Sequence, residues 1–256
     1  MGSIVGAALA GPRGDARSDG KFVVRLMQEA LDAVQPDTLV LFDAGWIVKD
    51  GHSLAGARSF RVPPIADEIS GATDLSNAIV ETGKLRKLTI HNDMNVGLGE
   101  AAMEIVRQFW RGETVLSVGI SQTMSVKAHL AFGAAIGEAI RRQPGRVMLI
   151  AAGGIGQGRA PVDLARAIKP VAGDTRIFSS AEEMDDQFIR HWMRGEHAEV
   201  IRLYPAYRQF YPDGNFGHYL TMVGALGGQA CRARGINLAP GNMSFDAVRM
   251  WFDPAA

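Results

Sequence analysis

Five short apolar runs, Ser3–Leu9, Thr38–Phe42, Leu88–His91, Thr114–Ile120 and Arg146–Ala152, alternate with four segments of helical period. A chain patterned this way can bury its apolar stripes by laying helices on both faces of a central sheet, so the expected fold is α/β with a mixed or mostly parallel sheet. The clearest stripe is Phe22, Val23, Leu26, Met27, Ala30, Leu31 and Val34, behind Asp19 as a cap and ahead of Pro36, which stops the helix. Further helices are predicted from Thr73-Asp74 to Gly83, over Glu100–Arg111 and over Val126–Arg142, whereas His52 to Ser70, containing Pro63-Pro64, shows little periodicity. The last third is predicted to be mostly helical, over Glu182–Arg194, Glu196–Tyr204 and Gly217–Arg232, with an alternating edge strand in Phe245–Phe252. No repeat or low-complexity tract divides the chain, and residues 1–256 are expected to form one domain.

Charge and composition narrow the partners. Lys and Arg number 27 against 27 Asp and Glu, and no basic cluster with interleaved aromatics is available to hold a phosphate backbone. No run approaches the ~18 apolar residues of a membrane span. Nucleic acid and membrane are therefore not expected partners. A chain of this length buries roughly 70–75% of its unfolded surface, enough to fold without a disulfide or structural metal. Cys231 is the only cysteine, which excludes an internal disulfide and a cysteine zinc cluster and suits a reducing, cytoplasmic setting. Met1–Ala10 lacks a basic leader and reads as a first strand, not a signal peptide.

Neither of the first two strand ends offers a histidine or cysteine, although an α/β enzyme places its chemistry at such ends. Residues 1–51 contain no His and no Cys; the first strand breaks at Gly11-Pro12 and the second runs into Asp43-Ala-Gly-Trp46. The glycine loop Gly153–Gly158 directly follows a strand and could cradle a dinucleotide phosphate, with Asp174 as the ribose acid. Its G-x-G-x-G spacing and the lack of a clear strand before Asp174 favour a simple strand-to-helix turn. Asp185-Asp186 reads as part of a charged helix face, and His191 and His197 as residues on or between polar helices. Trp46, Phe109-Trp110, Trp192 and Trp251 read as core or interface anchors. Tyr204, Tyr207, Phe210 and Tyr211, with Pro205 and Pro212 among them, form a dense aromatic cluster and are the expected subunit contact.

Four segments, LVLFDAGW at 39–46, IHNDMNVG at 90–97, AAGGIGQG at 151–158 and FGHYLTMVGALGG at 216–228, resemble the class III extradiol ring-cleavage dioxygenases, the superfamily of the protocatechuate 4,5-dioxygenase β-chain. The resemblance runs from the first strand to about Gly228. It implies a non-haem Fe(II) held by two histidines and a glutamate, with a further histidine acting as acid and base on the substrate hydroxyl. Carried onto this chain, the first ligand position falls in Ala8–Pro12, the second at Gly45 before Trp46, the acid/base position at Gln157 and the glutamate near Gly217, beside His218. None of them is a ligand side chain.

Asp43, His91, Asp93 and His218 are the residues that could rebuild a metal site, against the plainer reading of packed or rim histidines and a turn-capping Asp43. A family fold without its ligands resembles the non-catalytic α-subunits of the 2-aminophenol 1,6-dioxygenase type. The resemblance therefore implies a structural or regulatory subunit of a heteromeric ring-cleavage dioxygenase acting on a catechol or aminophenol. No cofactor is expected in this chain, and Fe(II) is expected in a paralogous catalytic partner. A free-standing small-molecule-binding protein, or an enzyme of altered chemistry around Asp43, His91 and Gln157, remain the alternatives.

Overall fold

The computed structural model describes residues 1–11, 18–155, 181–210, 212–227, 232–237 and 249–254. Its elements in chain order are β1 (Ser3–Ala10), α1 (Ser18–Val34), β2 (Thr38–Val48), β3 (His52–Ala55), β4 (Ser59–Phe60), β5 (Ile69–Ser70), α2 (Thr73–Leu85), β6 (Ile90–Asp93), α3 (Glu100–Phe109), β7 (Thr114–Ser121), α4 (Val126–Arg142), β8 (Arg146–Ala152), α5 (Ala181–Arg194), α6 (His197–Tyr207), α7 (Gly217–Ala225), β9 (Ala233–Asn237) and β10 (Arg249–Phe252). Among the described residues, eight strands form one mixed sheet in the order β6-β3-β7-β2-β8-β1-β10-β9, and β4 pairs separately with β5. The centre, β7-β2-β8-β1, is parallel; β3 joins β7, and β10 joins β1 and β9, in antiparallel fashion.

Alternation along the central strands divides the core. Val40, Phe42, Leu116, Val118, Leu149 and Ala151 pack with α2, α4, α5, α6 and α7, while Leu39, Leu41, Val115, Met148 and Ile150 pack with α1 and α3. Met27 and Leu31, from the predicted α1 stripe, are buried on the second face. Helices α4 and α7 approach unusually closely, because Gly133 and Gly137 on α4 and Gly224 on α7 leave no side chain between the two backbones. A Cβ on Gly133 would stand 2.0 Å from the Thr221 carbonyl oxygen, and one on Gly137 would stand 2.1 Å from that of Ala225. α7 is buried along its whole length.

The α/β class, the helices on both faces and the bounds of α4 and β8 agree with the sequence reading. Several boundaries do not. The segment from His52 to Ser70 supplies an interior strand, β3, although His-Ser-Leu-Ala has no β-branched residue to announce it. α2 runs through Gly83, whose missing side chain admits Ile90 rather than ending the helix. β2 continues past Phe42 to Val48. α7 ends at Ala225 instead of Arg232, with Gly227 at φ +74° closing it. β10 lies between β1 and β9 rather than at an edge.

Candidate functional site

The C-terminal ends of β2 and β8, the start of α3 and the turn before α7 form the site that the sequence singled out. Asp43 is fully buried there. Beyond it the β2–β7 register jumps from Asp43↔Gly119 to Ile47↔Ile120, so Ala44, Gly45 and Trp46 bulge out of the ladder. The Trp46 ring then lies over Gly119, where a Cβ would be 2.9 Å from its Cδ2. Asp43 Oδ1 accepts from Gly45 N at 2.9 Å, and Oδ2 accepts from Gly99 N at 2.8 Å and from the Ser117 hydroxyl at 3.3 Å. Gly99 is the cap of α3. Asp43 is thus a carboxylate placed at a helix N-terminus from a neighbouring strand. Burial raises its pKa, and the Gly45, Ala102 and Gly99 amides and the Ser117 hydroxyl oppose that rise.

That arrangement gives Asp43 a structural task with a measurable consequence. Asp43→Ala, which strips the acceptor from several buried donors, is expected to lower the unfolding free energy by about 2–4 kcal/mol. Asp43→Asn, which keeps one acceptor oxygen, should lose less. Urea denaturation decides this: an unchanged midpoint in the alanine variant would return Asp43 to the pool of available functional carboxylates.

The other candidates do not join it. His91 and Asp93 are exposed on β6 at the edge of the sheet, three strands from β2, and Asp93 Oδ1 accepts from Asn95 N at 2.8 Å. His218 is fully buried in the first turn of α7, with its Nε2 facing Gly153. Asp43, His91, Asp93 and His218 therefore do not form the rebuilt metal site. Among the described residues no group of three or more His, Cys, Asp or Glu side chains could hold a metal ion. Gln157, Asp174, Tyr211 and Cys231 lie outside the described residues, as do Gly156 and Gly158 of the glycine loop.

Packing occupies two of the positions at which the family resemblance expects ligands, Gly45 and Gly217. A Cβ on Gly45 would stand 2.8 Å from Ala101 N and 3.1 Å from Glu100 N, at the start of α3. A Cβ on Gly217 would stand 2.6 Å from both His129 Cε1 and Ile120 Cγ2. Between them the turn Asp213–Phe216 packs onto the strand ends: Asp213 Oδ2 accepts from Gly154 N at 2.7 Å, and Gly214 abuts Ala44. Phe216 at φ +62° drives its ring into the core against Phe188, Tyr204, Tyr207 and Tyr219. The described residues do not fit an iron centre of two histidines and a carboxylate.

The aromatic cluster is also placed differently from the expectation. Tyr204 and Tyr207 are buried in this chain's own core, their hydroxyls donating to Asn215 O at 2.7 Å and to Asp185 Oδ1 at 2.5 Å. Burial pushes the Tyr204 hydroxyl up to about 12. Their side chains cannot serve a subunit contact; helical periodicity through Pro205 hid which face they occupy. Phe210 is partly buried against the same core. Asp185 and His197 are likewise interior, not surface, residues. Two buried histidines escaped the sequence reading altogether, His52 stacked on Phe132 and His129 bonded to Thr221 and Ser121. The available signal was a histidine set within an apolar helix face, Ala128-His129-Leu130.

Residues 2–243 match the family described as the catalytic LigB subunit of aromatic ring-opening dioxygenase. No curated protein matches. Among solved structures, the crystal structure of an uncharacterized protein, JW3007, from Escherichia coli K12 is similar, with a TM-score of 0.64 and 12% identity, covering 96% of this chain and 99% of that one. At that identity the likeness concerns the fold.

Proposed function

The chain belongs to the family of the catalytic LigB subunit of aromatic ring-opening dioxygenase, and we propose that, with glycines at two positions where the resemblance expects ligands, it is a non-catalytic subunit of a heteromeric extradiol-type dioxygenase acting on a catechol or aminophenol. The observation that carries this reading is the closure of positions 45 and 217. Each is a glycine packed against backbone or a buried ring, so ligand loss is built into the core rather than confined to two side chains. The retained fold then contributes through its surface, supporting a paralogous subunit that holds Fe(II). Among the described residues no helix is long and apolar enough to cross a membrane.

Permanent hetero-complexes typically bury more than ~2,000 Å². Co-expression with a histidine-complete paralogue encoded beside it should therefore give a complex that survives size exclusion, while the isolated chain cleaves no aromatic ring. Two independently migrating proteins would sink the subunit reading and leave a small-molecule-binding protein in its place.

A further inference from the structure

His52, His129 and His218 come from β3, α4 and α7 and are all buried on the sheet face that carries α4 and α7. His129 joins the elements. Its Nε2 donates to the Ser121 carbonyl at the end of β7, 3.1 Å away, so in the neutral ring Nδ1 accepts from the Thr221 hydroxyl of α7 at 3.0 Å. That hydroxyl also lies 2.7 Å from the Gly217 carbonyl and has one proton for the two acceptors. Protonating His129 would turn Thr221 toward Gly217 and place a cation beneath α7. His52 stacks 4.1 Å from Phe132 with Nδ1 unpartnered, and neither nitrogen of His218 has a partner of normal hydrogen-bond geometry.

On the helices that share this face, Asp185 of α5 is buried and accepts from the Tyr207 hydroxyl, and His197 of α6 is buried with Nδ1 2.8 Å from the Tyr219 hydroxyl of α7. β3, β7 and α7 carry no Asp, Glu, Lys or Arg; Lys127 of α4 is exposed, and Glu138 pairs with Arg86 and Arg142. On α2, Glu81 pairs with Lys84 at the surface and Asp74 is exposed. Asp213 accepts from Gly154, and Asp43 faces α3 across the sheet. What His52 and His218 do feel is each other's neighbour: a charge on His129 disfavours a charge on either.

We propose that His52, His129 and His218 form an acid-sensitive latch, in which α7 stays docked on the sheet while all three are neutral and is released when they take up protons. Burial lowers His52 and His129 to about 4 and His218 to about 3, with the Asp213 backbone opposing the last. An unfolded histidine titrates near ~6.5. Between these values an opened segment binds protons that the docked one does not, so docking is at full strength above about pH 6.5 and is lost as pH falls toward about 4.

Hydrogen exchange of the full-length chain, stepped from pH 7.5 to 4 and corrected for intrinsic rate, tests this. Amides of α7 and of the facing turns of α4 should lose at least tenfold protection before those of β1, β2 and β8. Protection of α7 kept down to pH 4, or lost together with that of the sheet, overturns the latch. His218→Leu, which substitutes an apolar side chain for the unpartnered ring, should move the α7 midpoint about one pH unit lower; an unmoved midpoint overturns it too. Should that variant fail to fold, the wild-type profile alone still decides.

Discussion

The double substitution Gly45→His and Gly217→Glu, which reinstates the ligand types expected at those positions, should yield a protein that binds no iron and is about 4 kcal/mol or more less stable than wild type. At position 45 the new side chain meets the Ala101 and Glu100 backbone amides that begin α3, and these cannot move without displacing Asp43 from its bonds to Gly45 and Gly99. At position 217 it meets the His129 ring and Ile120, and a carboxylate would be carried into a fully buried turn. The single variants separate the two costs. Urea midpoints and elemental analysis decide the outcome: a double variant of wild-type stability, or one carrying about one tightly held iron per chain, would mean that the old site is merely unfurnished rather than closed.

Gly137→Val should have a comparable effect far from that site, bringing the protein to the edge of folding or beyond, with a loss of about 4 kcal/mol or more. Its Cβ would stand 2.1 Å from the Ala225 carbonyl oxygen, 2.9 Å from the carbonyl carbon and 3.1 Å from the α-carbon, all of them backbone, so no flexible side chain can yield. Gly133 faces Thr221 in the same way, and the reciprocal contact from Gly224 reaches the Leu130 carbonyl. The valine must therefore drive α4 and α7 apart and open the core they share with Phe132, Ile136 and Leu220. Gly97, with nothing within 4 Å of its Cβ position, is the control: Gly97→Ala should change the unfolding free energy by about a few tenths of a kcal/mol at most. A soluble Gly137→Val protein with a near-wild-type midpoint would show that the two helices are not packed as closely as described.

Much of this architecture was legible because it is written in local periodicity. Val126–Arg142 carries its own cap, Ser125, whose hydroxyl accepts from Ala128 N, and Arg146–Ala152 is an unbroken apolar run between turn residues. β3 was missed because its burial comes from its neighbours β6 and β7 and not from its own composition. The end of α7 was missed because Gly224, in the helix, and Gly227, just beyond it, have the same sequence signature; one serves helix packing and the other a left-handed closing turn. At the site, the family resemblance implies that positions 45 and 217 hold glycine where ligands are expected. The sequence could not reveal that Gly45 and Gly217 are filled by α3 and by His129, because those contacts join residues 56 and 88 positions apart. The aromatic residues Tyr204 and Tyr207 mark the converse limit: composition suggested an interface, and three-dimensional packing against Phe188 and Phe216 made them core.

Where iron sits decides whether this chain is a supporting subunit. The proposed complex with a histidine-complete paralogue should be prepared twice, once intact and once with that paralogue's ligand histidines replaced by alanine, and iron counted per complex by elemental analysis. A non-catalytic role for this chain predicts iron only in the intact complex, and none above background when the partner's ligands are gone although both chains still co-purify. Iron retained at about one per copy of this chain in the ligand-deficient complex would contradict it.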